Sequence, residues 1–115
     1  MLIKIYHNPR CSKSREALKL LHNNGIEPEI IEYLKFPPNK REIKNILSML
    51  GVEPREIMRR KEIPYVSKKL DDNNHSREKL IDAIIADPIL LERPIIISES
   101  RAVIGRPPDN VLKLL

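Results

Sequence analysis

The amino-acid sequence predicts an α/β protein, of the α+β type with a mixed sheet, in which strand-forming segments lie near both ends of the chain. Near the amino terminus, an apolar strand at residues 2–6, a helix at 12–24 and a strand at 29–34 follow one another. Near the carboxyl terminus, apolar runs at residues 95–98 and 101–104 flank a short polar turn. The first pattern predicts a parallel strand pair and the second predicts an antiparallel hairpin.

The first helix has clear sequence boundaries. Asn8-Pro9 ends the first strand, and Asn23-Asn24-Gly25 provides residues that tolerate positive φ at the end of the helix. Apolar residues at helical spacing predict the buried stripe, namely Ala17, Leu18 and Leu21.

The middle of the chain has helical periodicity. Asn39 with Glu42 predicts a capped helix, Pro54 predicts a short helix that runs to Arg59, and Ser76 predicts a third helix. The helix that Asn39 begins has an apolar face of Ile43, Ile46, Leu47 and Leu50. The helix that Ser76 begins has an apolar face of Leu80, Ile81, Ile84 and Ile85. We therefore expect a helical insertion at about residues 39–92.

The last helix is predicted to begin at Pro107 and to carry Val111, Leu112 and Leu115. The resulting order is βαβ, a helical insertion, then ββα. This is the thioredoxin-like order, and no linker or repeat divides it. The sequence predicts one thioredoxin-like domain over residues 1–115.

Composition excludes several classes of function. One cysteine among 115 residues cannot form an intrachain disulfide, and the three histidines lack zinc-site spacing, so we expect no metal. No apolar run has the length of a membrane span, which makes a cytoplasmic, non-membrane protein the expectation. The net charge of +5 is dispersed among acidic residues and aromatics are few, so no nucleic-acid partner is expected.

Cys11 is the leading candidate for the reactive group. It lies where the first strand gives way to a helix, and a thiol there faces unpaired N–H groups that favour the thiolate. His7, Arg10, Lys13 and Arg15 add basic neighbours. The alternative is that Cys11 is a small buried hydrophobic residue, which its polar and basic flanks make less favoured.

Four short motifs carry a resemblance to a known family. They are Tyr6-His7-Asn8-Pro9-Arg10-Cys11, Met58-Arg59, Glu92-Arg93-Pro94-Ile95 and Gly105-Arg106-Pro107. In this order they resemble the ArsC-type arsenate reductases that are coupled to glutathione and glutaredoxin. The resemblance extends over nearly the whole chain.

The resemblance implies a role for each motif. Cys11 would attack arsenate, Arg59, Arg93 and Arg106 would hold the oxyanion, and Pro94 would follow a cis peptide bond. Guanidinium groups suit such an anion because each offers parallel donors and a permanent charge. Taken singly, each arginine would be interpreted as a solvated surface residue. Position outweighs this, because Arg93 and Arg106 flank the hairpin at ends that a thioredoxin-like topology brings towards the first helix.

His7 has two possible roles. The resemblance implies that it favours the Cys11 thiolate, whereas its position at a strand end is equally consistent with a histidine that bonds to a backbone carbonyl. One residue could serve both purposes.

Ser14 stands where dithiol relatives carry a second cysteine. Since a hydroxyl cannot resolve a mixed disulfide, redox chemistry at Cys11 would need external thiols, which fits glutathione as co-substrate and a glutaredoxin as partner. We expect no bound cofactor and a monomer.

Two departures from the family pattern leave alternatives open. The chain has Cys11-Ser12-Lys13-Ser14 in place of Cys-Gly-Thr-Ser, and it ends at Leu115, so it resembles a shorter, less characterised branch. One alternative is a redox-responsive regulator of the Spx type, which Ser14 disfavours because such proteins sense with two cysteines. Another is a protein that binds glutathione through its thiol and does not turn over arsenate.

Overall fold

Four strands form the sheet of one of the two units in this protein. The computed structural model describes residues 2–115, and the units are Met1–Phe36 with Arg93–Leu115, and Pro37–Glu92. The strands, all in the first unit, are β1 (Ile3–His7), β2 (Glu29–Glu32), β3 (Ile95–Ser98) and β4 (Arg101–Ile104). Their order across the sheet is β2-β1-β3-β4.

The strand pairing confirms the predicted mixed sheet. β1 is parallel to β2, with Ile5 opposite Ile30, and antiparallel to β3, with Ile5 opposite Ile96. β3 and β4 form the expected antiparallel hairpin. This arrangement is the thioredoxin-like fold that the element order predicts.

One helix, α1 (Ser12–Asn23), connects the two parallel strands. Its apolar stripe packs on the sheet because Ala17 and Leu21 recur one turn apart and both are fully buried. They share a core cluster with Ile3, Ile5, Ile96, Val111 and Leu114. The helix therefore presents its first turn at the carboxyl end of β1.

The last helix differs from the prediction. It is a 3₁₀ helix at Pro108–Leu114, and it buries Pro108, Val111 and Leu114. Leu112 and Leu115, which the sequence placed on this helix, are not among its buried residues, since both side chains are nearly half exposed. A 3₁₀ helix has three residues per turn, so every third residue lies on the same face, whereas the prediction assumed α-helical spacing.

The second unit, Pro37–Glu92, is helical, where the sequence predicted an insertion at about residues 39–92. Its α-helices are α2 (Lys40–Leu50), α3 (Ile63–Ser67) and α4 (Arg77–Ala86), with 3₁₀ turns at Pro54–Ile57 and Pro88–Leu90. The cap predictions are confirmed: Asn39 and Glu42 form a capping box, and the Ser76 side chain accepts from the Lys79 N–H. The prediction of a single domain over residues 1–115 stays a prediction.

Two predicted element ends are wrong, and one helix was missed. β2 ends at Glu32, because the N–H groups of Lys35 and Phe36 turn back to the Glu32 carbonyl. The Pro54 helix stops at Ile57, since Met58 is extended. Helix α3 was not expected, because five residues that include Pro64 are too short to show a helical period.

Within residues 2–115, no helix is both long enough and apolar enough to cross a membrane.

The Asn39 capping box should contribute measurably to stability. We predict that Asn39→Ala lowers the free energy of unfolding by about 1 kcal/mol, because the Glu42 N–H loses its acceptor. Urea unfolding measures this. The matched control is Asn73→Ala in an exposed turn, for which a change within about 0.5 kcal/mol is expected. Equal effects of the two substitutions would contradict the prediction.

Candidate functional site: a thiol at the start of a helix

Cys11 occupies the N-cap position of α1, as predicted. Its backbone is extended, and its N–H donates to the Asn8 carbonyl at 3.0 Å. Its side chain makes no capping hydrogen bond and is partly exposed. The sulfur therefore lies at the positive end of the helix and is accessible to react.

The surroundings of Cys11 lower the pKa of its thiol. Burial acts in the opposite sense and is the largest single influence. It is outweighed by the backbone N–H groups of Ser14 and Lys13 together with the charge and hydrogen bond of Arg93. The depressed pKa follows from the helix start, as the sequence predicted, and from one arginine that is remote in sequence.

A fully buried hydroxyl group organises the loop before the helix. The Ser14 Oγ lies 2.6 Å from the His7 Nδ1 and accepts from the Asn8 N–H at 3.1 Å. The Asn8 Oδ1 accepts from the Arg10 N–H at 3.0 Å, which forms an Asx turn. Asn8 is a site residue that the sequence reasoning missed, although an Asn-Pro pair before a helix is a signal for such a turn.

His7 lies at the end of β1 and is buried. Burial lowers the pKa of its imidazole, the facing Glu32 partly offsets this, and Arg15 lowers it further. The ring is thus disposed to be neutral near pH 7, and its hydrogen bond to Ser14 replaces the carbonyl contact considered from the sequence. A role in favouring the Cys11 thiolate stays a prediction.

Two of the three predicted arginines lie beside the thiol. The Arg106 Nη1 is 3.9 Å from the Cys11 Sγ and donates to the Arg93 carbonyl at 3.3 Å. The charge of Arg93 and a hydrogen bond from its side chain lower the pKa of the Cys11 thiol. The structure therefore gathers one thiol and two guanidinium groups at the amino end of α1.

Gly105 brings the two arginine-bearing segments together. Its N–H donates to the Pro94 carbonyl at 2.9 Å, and a Cβ at this position would lie 2.7 Å from the Pro94 Cγ. The peptide bond between Arg93 and Pro94 is cis, as the resemblance implied, and the bond between Arg106 and Pro107 is cis as well. Glycine is required here because no side chain fits between the two segments.

Asn110 supports the Arg106 segment from the last helix. Its side-chain amide donates to the carbonyls of Ile104 and Arg106 at 3.0 and 3.2 Å. The sequence reasoning did not single out this residue, because a lone asparagine in a helical pattern carries no specific signal.

Arg59 belongs to the helical unit. Its backbone N–H donates to the Leu90 carbonyl at 2.7 Å, beside a bridge between Met58 and Leu91. Its guanidinium lies 2.8 Å from the Glu62 carboxylate, and both side chains are about three-quarters buried, with 24% and 23% exposure. Glu62 orients this arginine and was not foreseen. The role of Arg59 as a third oxyanion ligand stays a prediction.

Over the part of the chain that the structure describes, no three histidine, cysteine or acidic residues are grouped as metal ligands would be.

The topology and the thiol at the start of α1 define a thioredoxin-like protein with a single-thiol centre. The chain belongs to the ArsC family, which matches it over residues 6–114. The arsenate reductase of Haemophilus influenzae is 46% identical, with all of both chains aligned. The uncharacterized protein YfgD of Escherichia coli is 48% identical over 98% of this chain and 96% of its own.

A solved structure is similarly close. The arsenate reductase from Vibrio cholerae superposes with a TM-score of 0.97 at 46% identity, covering 100% of this chain and 98% of the other. These findings confirm both the family that the motifs indicated and the fold.

The depressed pKa of Cys11 predicts its reactivity. We expect the alkylation rate with iodoacetamide to fall as the pH drops through a midpoint below about 8.5, the ordinary thiol value. Arg93→Ala should move the midpoint upward, because the thiolate loses a positive neighbour. Arg41→Ala, a substitution of an exposed residue in the helical unit, serves as the control and should leave the midpoint of alkylation unchanged. A wild-type midpoint at or above about 8.5 would contradict the prediction.

The close approach at Gly105 predicts a combined effect on stability and reactivity. Gly105→Ala should cost about 1–3 kcal/mol of unfolding free energy, since the new methyl group overpacks against the Pro94 ring. It should also raise the Cys11 pKa by displacing the two arginines. Urea unfolding and pH-dependent alkylation measure the two effects.

Gly25→Ala is the matched control for Gly105→Ala. Gly25 has φ of +76° and open space around it, so alanine there strains the backbone at the far end of α1. It should reduce stability and leave the Cys11 pKa unchanged. The same pKa in both variants would show that Gly105 does not position the arginines.

Proposed function

We propose that this protein reduces arsenate to arsenite, with Cys11 as the nucleophile and with glutathione and a glutaredoxin as the source of electrons. The observation that carries the proposal is the placement of the Cys11 sulfur among helix N–H groups, Arg93 and Arg106. Two relatives named arsenate reductase, aligned over 100% and 98% of their own length, support it.

The site offers what a thiolate needs to react with an anion. Like charges repel, so the negative charge of the oxyanion must be compensated before the sulfur can approach arsenic. Two guanidinium groups and the amino end of α1 supply positive potential at that point. We propose that Arg59 adds a third guanidinium to the bound substrate.

In the proposed reaction, two thiols supply the two electrons that reduce one arsenic atom. The Cys11 thiolate displaces a hydroxyl group of arsenate, which takes up a proton from solvent and leaves as water, and an S–As bond forms. The thiolate of glutathione then attacks the Cys11 sulfur. An S–S bond forms, the S–As bond breaks, and its electron pair goes to arsenic, which is thereby reduced by two electrons and leaves as arsenite.

Regeneration of Cys11 requires an external thiol, since the chain has one cysteine. A glutaredoxin thiolate attacks the glutathionyl sulfur and releases the Cys11 thiolate. In this scheme the protein acts as a monomer with no bound cofactor, and glutathione is its co-substrate.

The test is steady-state arsenate reduction with glutathione and glutaredoxin. Cys11→Ser should abolish turnover, whereas Arg93→Ala and Arg106→Ala should each lower kcat/KM by about 30-fold to nearly a thousandfold, the equivalent of roughly 2–4 kcal/mol in the transition state. Lysine at either position should rescue part of the loss, because it retains the charge and loses the bidentate fork.

Arg41→Ala is again the control and should retain wild-type kinetics. No arsenate reduction by the wild-type protein, or turnover by both arginine variants within about twofold of wild type, would overturn the proposal. A protein that forms the glutathione adduct and does not reduce arsenate would be a glutathione-binding thiol protein.

A further inference from the structure

An open groove lies beside α1 in the unit that contains the thiol. It has a volume of about 430 Å³ and is formed by α1 and by the segment that begins the last helix. Its lining includes Glu16, Lys19, Leu20, Asn23, Pro107 and Asp109. This volume lies in the range of small-molecule sites.

One end of the groove is joined in sequence to the Cys11 site. Pro107 directly follows Arg106, whose guanidinium is 3.9 Å from the Cys11 sulfur. Glu16 is on the helix that Cys11 caps, and a rise of 1.5 Å per residue places it about 7.5 Å along the axis, whereas Asn23 is about 18 Å along it. An arm of two residue lengths, about 7 Å, on a thiol joined to the sulfur can therefore reach the Glu16 end of the groove.

The groove carries charges of both signs. Glu16 and Asp109 contribute carboxylates, Lys19 an ammonium and Asn23 an amide. Among the described residues, no ion pair involves Glu16, Lys19 or Asp109. These charges are therefore available to a ligand.

The combination of charges selects between the two ends of a thiol peptide. A terminal group with only a carboxylate would meet two acidic side chains and one lysine. An α-amino acid group carries an ammonium and a carboxylate side by side, so it can contact both kinds of side chain. The wall formed by Leu20 and Pro107 suits the methylene groups that connect such a head to the thiol.

We infer that this groove binds the α-amino acid head of the thiol co-substrate, which in glutathione is the γ-glutamyl end. Glu16 and Asp109 contact the ammonium group, and the long side chain of Lys19 contacts the carboxylate. The inference rests on one part of the proposed function, the reaction of an external thiol at Cys11. It adds the part of the co-substrate that is recognised and the residues that recognise it.

Thiol–disulfide exchange tests the groove without arsenate. The Cys11 thiolate attacks a symmetrical disulfide, a new S–S bond forms at Cys11, and one thiolate leaves and takes up a proton from water. The probes are the disulfides of glutathione, γ-glutamylcysteine, cysteinylglycine and 2-hydroxyethanethiol. Each rate constant is divided by that of N-acetylcysteine with the same disulfide, which removes differences in intrinsic reactivity.

The wild-type protein should favour the two γ-glutamyl disulfides over that of cysteinylglycine by on the order of tenfold, as one charge-assisted contact would give. The double variant Glu16→Gln with Asp109→Asn should lose this preference and keep its rate with the hydroxyethyl disulfide. The matched control, Glu27→Gln with Glu99→Gln, removes the same charge outside the groove and should retain the preference.

Equal normalised rates for the three peptide disulfides in the wild type would overturn the inference. So would the same loss of preference in the groove variant and in the control. Arsenate reduction measured on the same samples separates the two proposals. A γ-glutamyl preference without arsenate turnover would support the inference about the groove and contradict the proposed activity. Arsenate turnover without the preference would contradict the inference about the groove alone.

Discussion

The position of one sulfur at the amino end of α1 is the constraint on which the site depends. Cys11 caps the helix through its backbone, and its side chain makes no capping hydrogen bond. The N–H groups of Lys13 and Ser14 at the start of α1 lower the pKa of the thiol, and together with Arg93 they outweigh the opposing effect of burial. Burial of Ala17 and Leu21 against the sheet fixes this helix, so the core sets the position of the thiolate.

The two arginines reach the sulfur because two chain segments are in close contact. The segment before β3 carries Arg93 and the segment after β4 carries Arg106, and pairing within the hairpin brings these ends together. Gly105 allows its backbone to approach the Pro94 ring, and Asn110 ties the Arg106 carbonyl to the last helix. The positive charge at the site is therefore a property of the hairpin ends, which explains why glycine and proline flank the arginines.

Sequence patterns predicted those parts of the fold and site that depend on local or periodic signals. The strands, α1, the capped helices and the place of Cys11 follow from period, caps and turn residues, and β3 and β4 have the predicted bounds. The buried face of the last helix was missed, because nothing local in residues 108–114 separates a 3₁₀ helix from an α-helix. The partners of His7, Arg59 and Asn110 were missed too, since they depend on side-chain geometry and not on spacing.

Ser14 connects the architecture of the site to its having a single thiol. Its hydroxyl group is fully buried and bonds to both His7 and the Asn8 N–H, so it holds the loop that presents Cys11. A sulfur atom in the same place would be a weak hydrogen-bond partner and would be larger. The residue that could supply a second thiol is thus the one that positions the first. In the proposed reaction, the resolving sulfur therefore comes from another molecule.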